Sequence, residues 1–442
     1  MRKTFGLFCG CLAIAILAPA SASAQAAARG VDAQYYNVRR GDTLLELGQR
    51  YLMGSQAFRE VQLLNRIADP RAIPVGTRLM IPRRLLRSVP VELRLQSFSG
   101  PVTISSQSRQ LSAHAGLILP EGSEIVTGAN GFISIVAADG SRISLPSNSH
   151  ARFVRSRRYL IDRAADIDVQ VLRGRTDVHA THQNPGGTFQ VRTPVAVSAV
   201  RGTEFRAEYD NSAGGSAERS LTGVSEGTVA VSTVQSENAV PAGFGAAADA
   251  TGAITTEALL PAPGLMTPGK VQTDEALLFR VSPLADAHSY VLEIARDAGF
   301  IETVAEVENP STEAAFSGLP NGTYFVRARA RAASGLAGLA EAWSFRRQRA
   351  GITGAADMSA DPGSIRFSWQ AAGEGTALYR FQLFSDAAGS LPVMDEAGLT
   401  ATTLNLTGLA RGTYHWRSGL IQTTPDGSAE VWMPLQKVNI TN

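Results

Sequence analysis

The stretch that decides the fold is "TPVAVSAVRGTEFRAEY", residues 193–209. Apolar and polar residues alternate up to Val200, which predicts a strand with one buried face. Arg201 and Gly202 then mark a turn, because glycine adopts backbone conformations that are closed to other residues. The alternation resumes at Thr203. The stretch therefore predicts two strands joined by a tight turn.

The same pattern extends through residues 92–236. Alternating runs recur there as "FISIV", "SRISL", "IDVQVL", "TFQVRT" and "TVAVS", and turns such as "NG", "DGS" and "EGT" separate them. No 3.6-residue periodicity lasts long enough to predict a substantial helix. We therefore expect residues 92–236 to form an all-β module.

This module resembles FecR-type proteins, which are regulators of the bacterial envelope. The matching residues are Ile125-Val126-Thr127-Gly128, Asp139-Gly140-Ser141, Thr193-Pro194, Val200, Arg201, Gly202, Thr203, Glu204, Phe205 and Glu226-Gly227-x-Val229. We interpret Arg201 to Phe205 as a structural motif. The resemblance implies a cytoplasmic segment and a membrane helix in signalling members, but the apolar segment here begins already at Phe5. We therefore expect no inward signalling by the family's usual route.

The N-terminus predicts export. Arg2 and Lys3 precede an apolar run that is too short to span a bilayer, and "ASASA" offers a cleavage site after Ala24. Residues 1–24 are thus predicted to be a signal peptide, and no later segment is predicted to cross a membrane. Both cysteines lie within this signal, so the mature chain has neither disulfides nor a thiol nucleophile.

Residues 35–83 predict a compact strand–helix–helix–strand module with its own small core. "YYNV" and "TRLMIP" are its two strands. Thr43 and Glu46 form a capping box at the start of the first helix, and a second helix is predicted from Gln56 to about Asn65.

This module resembles a LysM domain. The matching residues are Tyr36-x-Val38-x-x-Gly41-Asp42-Thr43-Leu44, Tyr51, Asn65 and Ile73-x-x-Gly76-x-x-Leu79-x-Ile81-Pro82. LysM domains bind glycans that contain N-acetylglucosamine, such as peptidoglycan, in a groove between two loops. The resemblance places that groove at Gly41, Asp42, Thr43, Leu44, Asn65, Ile67 and Ile73. The alternative is that Asp42 and Thr43 only cap the helix and that Leu44 and Ile73 only fill the core.

The rest of the chain predicts a linker and two repeated modules. Residues 237–265 are rich in alanine, glycine and proline, which is typical of a linker. "SGLPNGTYFVRARA" at 317–330 returns as "TGLARGTYHWRSGL" at 407–420. Residues 266–348 and 353–442 are therefore predicted to be two β-sandwiches, which resemble fibronectin type III or immunoglobulin-like domains through their tyrosine corners. The predicted fold class is mainly β and multidomain.

The sequence predicts no active site. Gly223-Val224-Ser225-Glu226-Gly227 has the spacing of a hydrolase elbow, but a strand follows it where a helix is needed. His179 and His182 lie three apart, so their side chains point to opposite faces of a strand and do not form a metal site. We expect no catalytic residues, no metal and no cofactor, and the balanced charge after signal removal argues against nucleic acid as a partner.

These observations favour an exported, non-enzymatic protein of the periplasm. It would bind peptidoglycan through the LysM domain and present its β modules to an envelope protein partner. One alternative is a periplasmic sensor that binds an outer-membrane receptor or a signalling protein. Another is an accessory protein that directs an enzyme to the cell wall.

Overall fold

The computed structural model describes residues 32–182, 186–200, 202–211, 218–358 and 364–441. The described residues are mainly β, with 59% of them in strands and 5% in helices. Residues fall into two units: residues up to 89 with the loop Tyr159–Ala164, and the remainder from Pro90 onward. The predicted signal peptide, residues 1–24, lies outside the described residues. Within the described part of the chain, no helix is long and apolar enough to cross a bilayer.

The first unit has the predicted order of elements. They are β1 (Ala33–Asn37), α1 (Leu44–Tyr51), α2 (Ala57–Leu64), β2 (Arg78–Pro82) and a 3-10 turn (Arg83–Leu85), followed by β3 (Ser88–Pro90). β1 and β2 pair antiparallel. Thr43 caps α1 by accepting a hydrogen bond from the Glu46 backbone N–H. Gly48 lets the helices approach closely, since a Cβ there would lie 3.1 Å from the Phe58 Cβ.

The core of the first unit includes a loop from the middle of the chain. Tyr159 and Ile161 are buried in the same cluster as the apolar residues of β1, α1, α2 and β2. The Arg83 guanidinium lies 5.5 Å from the centre of the Tyr159 ring, and Gln34 donates a hydrogen bond of 2.5 Å to Asp162. The core predicted for residues 35–83 is therefore completed by residues 159–161.

The second unit begins with a large β domain. Its strands are β4 (Leu93–Ser99), β5 (Val102–Ser106), β6 (Arg109–Leu111), β7 (Ile118–Leu119), β8 (Glu124–Thr127), β9 (Phe132–Ala137), β10 (Arg142–Leu145), β11 (His150–Tyr159), β12 (Ala165–Ala180), β13 (Thr188–Arg192), β14 (Val197–Val200), β15 (Thr203–Asp210), β16 (Arg219–Glu226), β17 (Thr228–Ser232), β18 (Glu237–Pro241), β19 (Phe244–Asp249) and β20 (Ile254–Ala258).

These strands form two sheets that share β12. One sheet has the order β6-β5-β8-β11-β12-β13-β14-β17-β18. The other has the order β7-β4-β9-β10-β12-β15-β16-β19-β20. β12 changes sheets at Gly174, where φ is +70° and a Cβ would lie 2.7 Å from the Asn148 carbonyl oxygen. Only glycine fits this crossing.

One hydrophobic core lies among the inward faces of the two sheets. The alternating runs supply it, with Ile135, Val169 and Val229 fully buried. The strands on either side of the turn at Gly202 are not partners of each other, because β14 belongs to the first sheet and β15 to the second.

Residues 237–265, predicted to be a linker, contain the three strands β18, β19 and β20 instead. The small residues that suggested a linker are needed for close packing. Ala246 and Ala248 are fully buried. A Cβ at Gly245 would lie 2.8 Å from the Leu336 side chain. The low content of large residues in this segment therefore reflects close packing rather than a linker.

Two β-sandwiches follow in the second unit. The first consists of β21 (Leu277–Arg280), β22 (Ala287–Ala295), β23 (Thr303–Asn309), β24 (Glu313–Phe316), β25 (Gly322–Ala332) and β26 (Ala337–Arg347). The second consists of β27 (Ala350–Met358), β28 (Ser364–Gly373), β29 (Thr376–Phe384), β30 (Pro392–Leu399), β31 (Thr403–Thr407), β32 (Gly412–Thr424), β33 (Gly427–Trp432) and β34 (Gln436–Ile440).

Each sandwich has its own aromatic core and its own tyrosine corner. The Tyr324 hydroxyl donates to the Pro320 carbonyl oxygen at 3.1 Å, and the Tyr414 hydroxyl donates to the Ala410 carbonyl oxygen at 3.1 Å. In both repeats the acceptor lies four residues before the tyrosine, as a tyrosine corner requires. The predicted repeat is thus confirmed at the level of hydrogen bonds.

Candidate functional site

Two loops of the first unit meet where the sequence predicts a glycan groove. The Leu44 backbone N–H, at the start of α1, donates a hydrogen bond of 2.8 Å to the Pro70 carbonyl oxygen. This bond joins the loop before α1 to the loop after α2. Gly41 is exposed at the turn of the first loop, where its φ is +92°. The predicted residues 41–44 and Ile67 to Ile73 are therefore brought together.

The Asp42 carboxylate is held within its own loop. One of its oxygens accepts hydrogen bonds from the Tyr36 hydroxyl at 2.8 Å and from the Arg39 backbone N–H at 2.7 Å. Burial and the hydrogen bond to this carboxylate together raise the pKa of Tyr36 to about 12. The carboxylate thus orders the loop before α1.

The other predicted groove residues divide into core and surface. Leu44 and Ile73 are buried in the hydrophobic core. The Asn65 side chain accepts from the Met80 backbone N–H at 2.7 Å and donates to the Val61 and Met80 carbonyl oxygens. Its amide is therefore engaged in joining α2 to β2. Thr43 caps α1 and is half-buried.

Ile67 is the predicted residue best placed to touch a ligand through an apolar side chain. It is half-buried, packs at the edge of the core, and its backbone carbonyl accepts a hydrogen bond of 3.0 Å from Gln62. An exposed apolar neighbour, Val75, lies on the same loop. The arrangement offers backbone polar groups at Gly41 to Thr43 and a small apolar surface on the facing loop, which suits an acetamido group.

In the second unit, the motif at Arg201 to Phe205 is a close-packed turn. Arg201 lies outside the described residues. Gly202 has a φ of +76°, and a Cβ there would lie 3.0 Å from the His182 Nδ1. A Cβ at Gly227 would lie 2.7 Å from the Thr203 Cγ2, so Gly202, Thr203 and Gly227 pack closely together. Phe205 is buried in the core and Glu204 is half-exposed.

A cluster of charged residues was not predicted from the sequence. In β15, Arg206 donates to the Asp177 carboxylate of neighbouring β12 at 2.6 and 2.8 Å. In the first sandwich, Arg327 of β25 donates to Glu293 of β22 at 2.7 Å. The two cross-strand pairs face each other: Arg206 lies 3.8 Å from Glu293, and Arg327 lies 3.6 Å from Asp177. The first sandwich therefore docks on the large β domain through stacked ion pairs.

The carboxylates of this cluster are held ionised. Burial alone would raise the pKa of Glu293, but Arg327 and Arg206 outweigh it and lower that pKa to about 2. Likewise, burial opposes ionisation of Asp177, yet Arg206 holds its pKa well below the usual range. Because Glu293 is buried and the Asp177 side chain is only 23% exposed, losing one charge would leave its partners without compensation.

The contact continues along one stripe of β25. Arg331 lies 3.0 Å from Glu208 of β15 and 2.9 Å from Glu308 of β23. Arg175 of β12 forms an ion pair with Glu306 of the sandwich. The signal in the sequence is the run "VRARARA", since alternate arginines in a strand share one face. That pattern indicates a charged face but does not say which acidic residues cover it.

Further contacts complete this docking. The Ser97 hydroxyl of β4 donates to the Ile301 carbonyl oxygen at 2.6 Å, and the Ser99 hydroxyl donates to the Thr303 carbonyl oxygen at 2.7 Å. At the other end, Arg219 donates to the Ser334 carbonyl oxygen at 2.9 Å. Part of the outer surface of the large β domain is thus covered by the chain's own sandwich.

The Ser225 motif and the pair His179 and His182, which were not expected to form active or metal sites, have structural explanations. Ser225 lies near the end of β16, and β17 begins directly after the turn at Gly227, so no helix follows it. The carboxylates near the histidine pair are engaged in ion pairs, since Asp166 and Asp168 are both contacted by Arg155 at 3.1 Å. No group of three or more potential ligands that could hold a metal occurs among the described residues.

Comparisons with known proteins give two domain matches. Residues 36–82 match the model of the LysM domain, and residues 123–230 match the model of the FecR protein. These families are binding and regulatory domains that are typical of the bacterial envelope. Among curated proteins, none matches this sequence.

Solved structures give partial resemblances. A proposed anti-sigma factor from Parabacteroides distasonis is 20% identical with a TM-score of 0.25; the match covers 30% of this chain and 59% of that structure's length. Domains FN1–FN3 of chicken CNTN1 are 12% identical with a TM-score of 0.23, covering 56% and 95%. The fibronectin(III)-like modules of CbhA from Clostridium thermocellum are 9% identical with a TM-score of 0.22, covering 40% and 93%. The sandwich assignment rests on this chain's own strands and tyrosine corners.

Proposed function

We propose that this chain, with a LysM domain at residues 36–82 and a FecR domain at residues 123–230, is an exported, non-enzymatic protein that binds peptidoglycan. The LysM domain anchors it to the cell wall of the periplasm. The FecR domain and the two sandwiches then form an arm that meets an envelope protein partner.

The observation that carries this proposal is the junction of the two loops by the hydrogen bond from Leu44 to Pro70. It joins the loop that carries Gly41 to Thr43 to the loop that carries the half-buried side chain of Ile67. Backbone polar groups bind the acetamido group of N-acetylglucosamine, and Ile67 covers its methyl group. Leu44, Asn65 and Ile73 support the groove from within, and Asp42 fixes the loop.

The experiment is sedimentation of the mature protein, residues 25–442, with purified sacculi. Ile67→Asp places a charge against the acetyl methyl and is expected to weaken binding by about tenfold or more, which is roughly 1.4 kcal/mol. Leu63→Asp is the matched control, because Leu63 is an apolar α2 residue that is 79% exposed. If Ile67→Asp pellets as well as the parent protein and Leu63→Asp do, the groove is not the binding site.

A point substitution is preferable to deletion of the LysM domain. Deletion would expose Tyr159 and Ile161, which are buried in the core of the first unit. An exposed apolar loop promotes association, so a truncated protein could pellet for a reason unrelated to sugar. The pair of substitutions avoids this artefact because Leu63 is exposed, Ile67 lies at the edge of the core, and neither change removes the cover of Tyr159 and Ile161.

A second candidate function is regulatory, with the FecR domain binding an outer-membrane receptor or a signalling protein. It is favoured by the FecR match. The first sandwich would then control access, because it covers part of the FecR domain. Crosslinking in envelope extracts, followed by purification, tests this candidate. Recovery of the same receptor or regulator from the parent protein and from Ile67→Asp supports it, whereas recovery of peptidoglycan alone excludes it.

An accessory role for a cell-wall enzyme would give the same sedimentation result. Zymography of the purified protein on cell-wall substrate tests for an intrinsic activity. We expect no lytic band. A band that persists in Ser225→Ala would contradict the non-enzymatic assignment and would place an active site elsewhere.

A further inference from the structure

A small cavity lies within the charged contact between the large β domain and the first sandwich. Its volume is about 60 Å³. Strands β9, β10, β12, β15 and β16 line one side, and the sandwich strands β22 and β25 with the segment leading into β23 line the other. Apolar walls come from Phe132, Phe300 and Ile301. The volume exceeds the 10–15 Å³ or so that one water needs, but it is too small for a sugar.

The arginines that line the cavity outnumber its carboxylates by one. Four arginines and three carboxylates face the cavity. The carboxylates of Asp177 and Glu293 are already engaged by Arg206 and Arg327. These two pairs leave Arg142 and Arg329, and the Nε of Arg329 lies 3.9 Å from Glu293, beyond hydrogen-bond distance.

Two buried guanidinium N–H groups lack a hydrogen-bond partner among the described residues. Arg206 is 6% exposed and Arg329 is 8% exposed. The Nη1 of Arg206 and the Nε of Arg329 have no hydrogen-bond partner among the described residues. Buried polar groups are nearly always satisfied in folded proteins, and unsatisfied charged donors are especially costly. Two such donors, on side chains that line one cavity, therefore indicate an acceptor that is not part of the chain.

The electrostatics point to a negatively charged acceptor. Burial, together with the neighbouring Arg206 and Arg327, lowers the pKa of Arg329 to about 9. A neutral water would satisfy the hydrogen bonds but would leave the excess charge. A monovalent anion would satisfy both. The apolar walls also favour an ion that sheds its water easily.

We propose that this cavity binds one small monovalent anion, a halide or a carboxylate no larger than acetate, through the Arg206 Nη1 and the Arg329 Nε. The bound anion offsets the excess positive charge of the cavity lining. Because it binds only where the FecR domain and the first sandwich meet, it stabilises their docking. Anion concentration then sets how firmly the sandwich covers this face.

The test is thermal unfolding of the mature protein at constant ionic strength. Sodium chloride or sodium acetate replaces sodium gluconate, whose anion is too large for the cavity. We expect the melting temperature to rise and then saturate. At 100 times the dissociation constant, the ratio of folded to unfolded protein rises about 100-fold. The anion with the lower half-saturation point, chloride or acetate, identifies the preferred ligand. Identical melting temperatures in all three salts would overturn the proposal.

Substitutions localise the effect. Arg329→Gln removes both the donor and the excess charge, so it is expected to abolish the saturating rise. Arg331→Gln is the matched control, because Arg331 lies two residues further along the same face of β25 and does not line the cavity. Loss of the rise in both variants, or its retention in Arg329→Gln, would contradict the assignment.

A measurement on the parent protein keeps the test independent of variant folding. Crystals soaked in sodium bromide are expected to show an anomalous peak within hydrogen-bond distance of the Arg206 Nη1 and the Arg329 Nε. Bromide at the surface alone, with none in the cavity, would overturn the proposal.

Discussion

Replacement of Tyr159 by alanine is expected to destabilise the first unit strongly while the second unit keeps its stability. Tyr159 is 2% exposed and lies in the same core as Leu44 and Leu79, although more than seventy residues of chain separate it from β2. Its ring faces the Arg83 guanidinium at 5.5 Å. The substitution removes the largest side chain that the loop Tyr159–Ala164 contributes to this core.

The size of the effect follows from burial. Truncation of a buried aromatic residue to alanine costs ~3–5 kcal/mol, from lost transfer free energy and the cavity left behind. The first unit has roughly 60 described residues, and at about 0.05–0.15 kcal/mol per residue its whole stability is about 3–9 kcal/mol. One side chain thus accounts for a large share of the stability of the unit.

Hydrogen exchange followed by mass spectrometry measures the two units separately. In Tyr159→Ala, the amides of α1 and α2 are expected to exchange ~100-fold faster or more, while those of β12 and the sandwiches keep their protection. Leu160→Ala is the control, because Leu160 is exposed in the same loop. Equal exchange in the two variants would refute the view that this loop completes the core.

Three further predictions concern the other sites. On acidification, the free energy of unfolding of the parent protein is expected to fall by roughly 3 kcal/mol through Glu293, because its pKa is about 2 in the folded state and higher in the unfolded state. This contribution is present above about pH 4.5 and is lost as the pH falls toward 2. Glu293→Gln is expected to lose ~3–5 kcal/mol at neutral pH and to lack this part of the acid transition, as measured by urea unfolding from pH 2 to 7. Asp42→Ala is expected to lower the pKa of Tyr36 from about 12 toward 10, with burial retaining part of the shift, as read from the difference in ultraviolet titration against Tyr36→Phe. Gly202→Ala is expected to lower stability by about 1–2 kcal/mol, seen as a lower melting temperature, because φ is +76° there; an unchanged melting temperature would contradict the role of this turn.

Local patterns made much of the fold predictable. The cap at Thr43 predicts the start of α1, and period-2 alternation predicts the strands that bury Val169 and Phe205. The tyrosine corners follow from the repeated spacing of leucine and tyrosine, because the hydrogen bond spans only four residues. Signals of this kind are contained within a few residues of the chain.

The features that could not be predicted depend on partners that are distant in sequence. Nothing near Tyr159 indicates that it joins a core formed by residues 33–86. The small residues around Gly245 are typical of a linker when they are considered alone, and only the approach of Leu336 explains them. The candidate groove was predictable as a pair of loops, but the burial of Leu44 and the engagement of Asp42 by Tyr36 require the folded structure.

The stacked ion pairs also distinguish two domains that otherwise look alike. By the repeat spacing, Arg329 and Glu293 of the first sandwich correspond to Gly419 and Gln382 of the second. Only Arg327 keeps its charge, as Arg417. The second sandwich therefore shares the architecture of the first but lacks the charges that would match Asp177 and Arg206. Correct docking thus depends on charge complementarity. In a chain with its two sandwiches exchanged, each domain is expected to fold, but the sandwich next to the FecR domain would not dock on it.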